Sequence, residues 1–584
     1  GTSVYNMDVQ NFMKRYSTNS YDAALIWDGL IPAVVPEVGS NDGYWLWSDS
    51  AIIVPWKCYM QYESLSYLED SYKTMKGYMD YMEKTFFHGD GSVEGSTLGD
   101  HLAPGMSGGD YGNEFAGTVT STDVLRHLIA AYDISIMEQT CRLLGYKEEA
   151  EKYQATYEKL KNYFKKTFVK EDGTLTDNTQ GAYALAISLG MIDGDQIGSA
   201  ADALQTCIEA VNDRITTGFI STNWLMPALS QSGKTDKAYD LLLQTMAPSW
   251  LYEVEQGATT IWERWNAYSA EGGFGDVSMN SFNHYSLGSV GEWMYGYMAG
   301  IISGDTPGYQ EFVLQPIIDD QGRIDYVDGS YRSDYGTVRS SWRSAEGAIT
   351  SYKAEVPANT TATLYLPITA KQAKYLDVPE GMTYVGMEKH NEMMCARYEL
   401  VSGVYDLTIL SGEEYMDQAM DKLTQQLEQS RQEAAEADRK AEEAWKAAEA
   451  VKKQAGENSK KAQEALEEAR MAQKTAEQAQ ARLEKIEFTS RKPDIKAVKS
   501  TKKRQLKISW KKVSGAEGYV LQYATKPNFK GKKAVTVKKG STLGKSIRKL
   551  RSGKNYYVRM KAYRIISGKK VYTGYSGKKV VRVK

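Results

Sequence analysis

The residues best suited to chemistry in this sequence lie between Gln256 and Tyr285, where Glu263 stands between Trp262 and Trp265. A glycosidase needs a carboxyl group beside a sugar ring whose apolar face packs on an aromatic surface, and that carboxyl protonates, attacks or activates water. The structural alternative is a solvated glutamate between two core tryptophans. Glu263 is therefore a candidate catalytic residue for cleaving a sugar.

Polar side chains are concentrated at the end of the same segment. Asn280, Ser281, Asn283 and His284 alternate with aromatic residues just before an apolar run. Such a cluster suits a network of hydrogen bonds to sugar hydroxyls. The alternative is again structural, because Asn and Ser often cap helices and His284 could be a satisfied core histidine.

The two words EQGATTIWERW and MNSFNHY together resemble the signature of the glycoside hydrolase family 78 α-L-rhamnosidases. Two earlier words, GLIPAVVPEVG at 29–39 and WLWSDSAIIVPW at 45–56, resemble the start of that family's barrel. Three further words follow in the family's order, namely TQGAYALAISLGM at 179–191, TTGFISTNWLMPALSQSG at 216–233 and PSWLYEVEQGATTIWERW at 248–265. The likeness covers roughly the first 410 residues of the chain.

The resemblance implies hydrolysis of terminal α-L-rhamnosyl residues with inversion, in which Glu263 is the general base that takes a proton from water. It also implies that Trp47 and Trp265 line the sugar ring, while Asp49 and His284 bind hydroxyls. Asp100, in STLGDHLAP, matches a GDW-type loop of the family except that His101 replaces the tryptophan. The substrate-binding residues that we expect are Trp47, Asp49, Asp100, Trp265 and His284.

The family's general acid is a glutamate in a motif of the kind DCPQRExLGWxGD, and no such string occurs in these 584 residues. The opening GTSVYNMDVQNFMKRY resembles the helix that directly follows that motif. We therefore expect that the chain begins after the acid, that Glu263 is one of a pair, and that this fragment hydrolyses its substrate slowly or not at all.

Two other functions stay open at this point. The chain could be a non-catalytic surface protein for carbohydrate binding or adhesion, built on a glycosidase-like scaffold. It could also be another hydrolase or lyase that shares the same fold, because a fold does not fix a substrate.

The elements that must position these residues are paired helices. Residues 1–303 have the pattern of long amphipathic helices in hairpins joined by Gly- and aromatic-rich loops, and in the last of these helices apolar residues recur at three- and four-residue spacing. The helices predicted are Leu65–Lys84, Val119–Leu144, Lys147–Phe168, Gln196–Val211 and Lys234–Met246. Repeated hairpins suggest an α/α toroid, and the resemblance implies an (α/α)6 barrel that is incomplete at its N-terminus.

The hydrophobic period changes near Pro307. Short alternating runs separated by Gly, Asn and Pro predict an antiparallel β-sandwich in residues 304–412. The segment 413–487 has no proline, and two heptad series run from Ala434 to Leu483 and from Ala437 to Ile486, with Asn458 at one seam position. This pattern predicts a helical stalk, either an oligomeric coiled coil, a single spacer helix, or a hairpin that folds near Gly456 and Asn458.

The last segment, 488–584, returns to strands and resembles a fibronectin type III module, with Trp510 on an early strand and Tyr556 on a late one. Residues 491–584 hold 30 lysines and arginines against Asp494 and Glu517, a net charge of +28, while residues 1–490 carry 41 basic and 72 acidic groups, a net charge of −31. A field of this size attracts polyanions. We expect an anionic cell-wall polymer rather than specific nucleic acid, because no recognition helix or RNP-like motif is present; a solvated surface without a partner is the alternative.

Several classes of protein are disfavoured by composition. Four cysteines without a CxxC pair give no disulfide framework or zinc site, and no HExxH, DxDxDG or GxxxxGK motif occurs, so we expect neither metal nor cofactor. No apolar run is long enough to span a bilayer. A stalk and a fibronectin-like module are usual outside bacterial cells, so we expect a secreted or wall-associated protein.

Overall fold

A computed structural model describes residues 9–26, 29–35, 45–106, 114–276, 278–304, 306–455 and 460–584. These residues fall into two compact units, 1–412 and 413–584. Asn458 and Gly456, at which the sequence suggested a turn, lie outside the described residues.

The first unit begins with helices that alternate between buried and partly exposed. They are α1 (Gln10–Ile26), α2 (Ser50–Tyr62), α3 (Ser66–Phe86), α4 (Thr122–Leu144), α5 (Lys147–Phe168), α6 (Gln180–Ser188), α7 (Ile197–Glu209), α8 (Thr222–Gln231), α9 (Thr235–Leu242), α10 (Trp250–Glu255) and α11 (Val290–Trp293), which continues as a π-helical turn over Met294–Met298.

The helices α2, α4, α6, α8 and α11 contact one another in that order and form an inner layer, and α3, α5, α7 and α9 pack outside them. Their apolar faces meet in one continuous core. In α6 every residue from Gln180 to Ile187 is buried, as expected of a helix surrounded by others. A salt bridge of 3.0 Å between Lys57 of α2 and Glu292 of α11 joins the first and last of these inner helices. The arrangement is the predicted α/α toroid.

The predicted helix bounds agree with the structure to within a few residues. Helix α4 begins at Thr122 because the Ser121 hydroxyl accepts a hydrogen bond from the Asp123 N–H and caps it. Helix α9 ends at Leu242, four residues before the predicted end.

The sandwich of the first unit follows the helices. Its strands are β3 (Ile301–Ile302), β4 (Glu311–Leu314), β5 (Tyr326–Ser333), β6 (Gly336–Ala345), β7 (Ala348–Val356), β8 (Thr361–Leu366), β9 (Met382–His390), β10 (Met393–Leu400) and β11 (Gly403–Thr408), with α12 (Ala370–Tyr375) between β8 and β9. One sheet has the order β3-β4-β8-β10-β9 and the other β11-β7-β6-β5. All named pairs are antiparallel except β4 with β8, which are parallel. A small hairpin, β1 (Tyr268–Ser269) with β2 (Gly273–Phe274), belongs to the loops of the toroid.

The second unit opens with two long helices, α13 (Gly412–Ala455) and α14 (Lys460–Thr489). Ion pairs of 3.1 Å join Arg431 to Glu487 and Glu433 to Arg482, which requires the helices to run antiparallel. The predicted seam is buried between them at Ala434, Ala448, Ala462, Ala469 and Ala476. The hairpin is thus the alternative that the structure adopts, and the single rod is not.

A second sandwich follows α14. Its strands are β12 (Ile495–Lys499), β13 (Leu506–Trp510), β14 (Gly518–Ala524), β15 (Lys533–Val537), β16 (Gly544–Ile547), β17 (Asn555–Ile566), β18 (Lys569–Tyr572) and β19 (Lys579–Arg582). The sheets have the orders β12-β13-β16 and β15-β14-β17-β18, with β19 also paired to β17. Trp510, Tyr519 and Phe488 lie in its core. Within the described part of the whole chain, no helix has the length and apolar character of a membrane span.

Candidate active site

A row of aromatic rings lies along the loops of the toroid. Ring centroids are 5.7 Å apart between Trp47 and His101, 5.4 Å between His101 and Phe219, 4.9 Å between Phe219 and His284, and 5.1 Å between His284 and Tyr285. The last ring is 82% exposed. The row brings together Trp47 and His284, which are 237 positions apart in the sequence, and gives the site the aromatic wall that a sugar ring needs.

Backbone hydrogen bonds between residues 261–263 and residues 281–284 hold Glu263 beside this row. Its N–H donates to the Ser281 carbonyl oxygen over 2.9 Å. In return the Ser281 N–H donates to Glu263 Oε2 over 2.7 Å. Because only Oε2 is held, and no described residue donates to Oε1, that oxygen is free to accept a proton from water. The arrangement fixes a half-buried carboxylate in one orientation.

The His284 ring has a defined proton position. The ring Nδ1 accepts the N–H of Ser286 over 3.3 Å, while the backbone N–H of His284 donates to the Ile261 carbonyl oxygen over 2.9 Å and holds the residue in place. A neutral imidazole whose Nδ1 accepts must carry its proton on Nε2. His284 can therefore offer Nε2 as a hydrogen-bond donor to a hydroxyl.

His101 lies within electrostatic reach of Glu263, Arg264 and His284. Burial lowers its pKa most, the Glu263 carboxylate raises it, and Arg264 and His284 lower it further. The net direction is downward, so the ring is neutral at pH 7. His101, at the position where the resemblance led us to expect a tryptophan, is itself a ring of the aromatic row.

The buried carboxylate of Asp100 holds the loop of residues 218–221. One oxygen accepts the Gly218 N–H at 2.8 Å, and the other accepts the N–H groups of Ile220 at 3.1 Å and Ser221 at 3.0 Å. Burial raises its pKa, and these hydrogen bonds oppose that shift. The Asp100 side chain is 1% exposed and holds the loop that carries Phe219. Its predicted role in binding substrate stays a prediction.

Asp49 is also 1% exposed, just before α2. Its oxygens accept the Leu46 N–H and, at 2.9 Å, the Tyr78 hydroxyl. Burial raises its pKa, and the pKa of the neighbouring Asp133 is raised well above its ordinary value by burial and by Asp49. Ionisation of both buried carboxyls at once is therefore unfavourable. Asp49 and Trp47 line a cavity of about 450 Å³ beside the row, and a hydroxyl contact for Asp49 stays a prediction.

Trp265 is buried in this structure. It is 2% exposed, and its ring packs edge to face on Trp250 with centroids 5.4 Å apart. Trp262 is 4% exposed and packs on Phe282. Both indoles therefore lie in the core, as the structural alternative expects, and the predicted role of Trp265 at the sugar ring stays a prediction.

Sequence reasoning missed two contributors. Phe219 completes the aromatic row, and the signal was its place in TTGFISTNW, one of the matched words. Ser281 acts through its backbone on Glu263, which no residue-type pattern reveals. Asn280, a member of the polar cluster, donates from its side-chain amide to the Ala267 carbonyl oxygen over 2.9 Å.

One acidic cluster in the described residues has donor atoms close enough for a metal ion, formed by Asp236, Asp319 and Asp320. Both oxygens of Asp319 already accept from Arg323. We assign no metal to it. The aromatic row with a fixed carboxylate and a neutral imidazole is suited to general base catalysis on a bound sugar.

Two family models match this chain. The family described as the bacterial alpha-L-rhamnosidase 6 hairpin glycosidase domain matches residues 1–298, and the bacterial alpha-L-rhamnosidase C-terminal domain matches residues 300–377. An α-L-rhamnosidase of Streptomyces avermitilis is 32% identical over 410 residues, which are 70% of this chain and 37% of that protein. One from Formosa agariphila is 32% identical over 64% of this chain and 40% of its own length.

Solved structures give the same result. The crystal structure of the Streptomyces avermitilis enzyme complexed with L-rhamnose superposes with a TM-score of 0.62 at 31% identity, over 70% of this chain and 37% of that chain. The Aspergillus terreus enzyme superposes with a TM-score of 0.60 at 26% identity, over 69% and 44% of the two chains. The chain therefore spans less than half the length of these relatives.

Proposed function

The chain belongs to the bacterial α-L-rhamnosidase six-hairpin glycosidase family, and on that basis we propose that it hydrolyses terminal α-L-rhamnosyl residues of glycans or glycosides. The observation that carries the proposal is Glu263, fixed through Ser281 beside the aromatic row. The names of the relatives support the choice of sugar.

In the proposed reaction Glu263 removes a proton from water, and that water attacks the anomeric carbon with inversion. Trp47 and Phe219 pack on the sugar, and His284 donates from Nε2 to a hydroxyl. Single displacement also needs a general acid on the other side of the glycosidic bond, and our proposal assigns only the base.

The test is hydrolysis of an aryl α-L-rhamnoside by this chain and by a version extended upstream in its reading frame. We expect Glu263→Gln to lower kcat by about 10²- to 10⁴-fold, the usual contribution of a general base, with an unchanged melting temperature. Glu271→Gln, an exposed glutamate of the same loop, is the matched control. An unchanged rate in Glu263→Gln would remove that residue from its role. Rhamnose binding without turnover in the extended version would favour the carbohydrate-binding alternative.

We also propose that residues 488–584 bind an anionic cell-wall polymer and keep the chain at the wall. The support is electrostatic: of the two acidic residues in 491–584, Asp494 pairs with Lys511 at 2.9 Å, and Glu517 accepts the Ile565 N–H at 3.0 Å. Arg559 is clamped between Phe529 and Tyr575, with its guanidinium 4.2 and 4.0 Å from the two ring centroids. A guanidinium held this way is already oriented to pair with an anion.

Retention of the full chain on purified bacterial walls tests this second proposal. Six lysines exposed on the sandwich can be changed together to glutamine, which lowers the net charge of 491–584 from +28 to +22; they are Lys530, Lys532, Lys538, Lys539, Lys578 and Lys579. We expect retention to fall with added salt and with these substitutions. Equal retention of the two proteins would rule the proposal out.

We also propose that the protein is secreted or wall-associated and that it self-associates through residues 413–487. Fractionation of the source cells tests whether the protein is outside the membrane. Sedimentation tests association through 413–487, for which the exposed Trp445, 46% accessible, is one available contact. A purely monomeric species at high concentration would exclude the oligomer.

A further inference from the structure

The outer face of the larger sheet in the second sandwich carries cations and aromatic rings side by side. On β17 the side chains of Val558, Met560 and Ala562 are buried in the core. Successive side chains of a strand point to opposite faces of the sheet. Arg559 and Lys561 therefore lie on the outer face, on a strand that is paired with β14 on one side and β18 on the other.

The guanidinium of Arg559 is held by three contacts. It lies 4.2 Å from the ring centroid of Phe529 and 4.0 Å from that of Tyr575. Its Nε donates to the side-chain oxygen of Gln522, directly opposite on β14, over 3.0 Å. No described residue accepts a hydrogen bond from its two terminal nitrogens. That edge of the guanidinium is therefore available, in a fixed orientation, to two oxygens of an anion.

A second cation shares one of these rings. The Lys561 ammonium lies 5.4 Å from the ring centroid of Tyr575 and 3.9 Å from that of Tyr572. Arg559 and Lys561 are two residues apart on one strand, so their Cα atoms are separated by about 7 Å. Like charges at this separation repel each other, and a bound anion relieves that repulsion.

The same arrangement continues on β18. The Lys570 ammonium lies 4.9 Å from the ring centroid of Tyr563, and the centroids of Tyr563 and Tyr572 are 6.1 Å apart. We refer to the three cations and the three tyrosines as the cation–aromatic face, which consists of Arg559, Lys561, Lys570, Tyr563, Tyr572 and Tyr575.

The charge of this face is not neutralised by the protein. Among the described residues, the salt bridges of this sandwich join Lys511 to Asp494 at 2.9 Å and Arg564 to Glu484 at 3.7 Å. None of them includes a cation of the cation–aromatic face. Three oriented cations without a carboxylate partner make a site for an anion with several charges.

We propose that the cation–aromatic face is a binding site for the phosphate groups of a linear phosphodiester polymer. The inference rests on the wall binding proposed above, and it assigns that binding to a site rather than to total charge. An arginine fork pairs with two oxygens of a phosphate, and a neighbouring ammonium adds a point charge to the same group. The oxygens of a phosphate are arranged tetrahedrally and can reach donors that do not share a plane, whereas the two oxygens of a carboxylate lie in one plane.

The first measurement compares two variants of equal net charge. Arg559→Gln and Lys507→Gln each lower the net charge of 491–584 from +28 to +27, and Lys507 is the matched control because it is an exposed lysine on β13, in the opposite sheet. The probe is linear inorganic polyphosphate, bound to the full chain at fixed ionic strength. We expect Arg559→Gln to weaken binding by about tenfold or more, because charge-assisted hydrogen bonds are lost, and Lys507→Gln by less than about twofold. Equal losses would mean that only the summed charge acts, and would overturn the inference.

The second measurement leaves the net charge unchanged. Tyr575→Leu removes the ring that Arg559 and Lys561 share, and Arg559→Lys replaces the fork by a point charge. Each should weaken polyphosphate binding by about threefold or more in a chain that circular dichroism shows to be folded. Wild-type affinity in both variants would contradict a site built on an oriented guanidinium.

Competition on purified walls identifies the anion. Polyphosphate should release the full chain at a lower concentration of charged groups than polygalacturonate, and this preference should disappear in Arg559→Gln. Equal release by polygalacturonate would overturn the assignment to phosphate, and tighter binding to single-stranded DNA than to walls would overturn the assignment to a wall polymer.

The site and the wall proposal can fail separately. If walls do not retain the full chain while polyphosphate binding depends on Arg559, the wall proposal fails and the site stands. If walls retain the chain and only the variant with six lysines changed loses retention, the wall proposal stands and the site is ruled out.

Discussion

The helical toroid and the C-terminal sandwich use charge in opposite ways. In the toroid, single carboxylates are held by specific hydrogen bonds. Asp100 accepts from three backbone N–H groups, and Glu263 accepts from the N–H of Ser281. In the sandwich the cations are many, spread along the strands, and mostly exposed. The effect of a single buried charge depends on the position of its partners, whereas the field of a charged surface depends on the total of many charges. We therefore expect single substitutions to have large effects on stability in the toroid and small ones in the second unit.

The largest effect is expected at Asp100. Asp100→Ala would leave the N–H groups of Gly218, Ile220 and Ser221 without their buried acceptor, at about 1 to 3 kcal/mol for each group left unpaired. Chemical denaturation should show a loss of at least about 3 kcal/mol, and rhamnosidase activity should fall because Phe219 is no longer held. Asp100→Asn keeps one acceptor oxygen and should lose less. Equal stability of Asp100→Ala and the wild type would contradict the view that this carboxyl is structural.

The next largest effect concerns Glu253 and depends on pH. The unfolded chain releases this proton near the ordinary pKa of 4.5, but the folded protein keeps it until about pH 8. The unfolded state therefore binds fewer protons between these values, and the wild type loses stability as pH rises through that window. Glu253→Gln lacks this loss. Its free energy of unfolding should exceed that of the wild type by on the order of 3 kcal/mol at pH 7, and the difference should shrink at pH 4.

Denaturation curves of the two proteins at pH 4, 5.5 and 7 measure that difference. Glu255→Gln should track the wild type at every pH. A constant gap between Glu253→Gln and the wild type would mean that the substitution acts by packing and not by removing a proton equilibrium.

The smallest effect is expected in the helical hairpin. Arg482 and Glu433 form an ion pair of 3.1 Å, but the two side chains are 68% and 43% exposed. Exposed pairs contribute at most about 1 kcal/mol because solvent screens them. Arg482→Glu should therefore change the free energy of unfolding by less than about 1 kcal/mol, and added salt should reduce the change. A loss as large as that of Asp100→Ala would erase the contrast between the two regions.

Much of the fold follows from sequence periodicity. The sequence predicted the helices of the toroid, the change from helices to strands near Pro307 and the alanine seam. Burial of one face gives apolar residues a period of 3.6 in a helix, 2 in a strand and 3.5 in a coiled-coil seam. The parallel pairing of β4 with β8 was not predicted, since strand order depends on contacts distant in sequence. The choice of a hairpin over an oligomer was also left open, because the same seam serves either arrangement.

For the site, the sequence by itself determined which carboxyl to consider and which family the motifs resemble. Only the tertiary structure decided where each side chain points. It placed Trp265 in the core and tied Asp100 to the loop of Phe219. The reason is physical: residue type records which chemistry is available, whereas burial and hydrogen-bond partners are set by segments that meet only when the chain is folded.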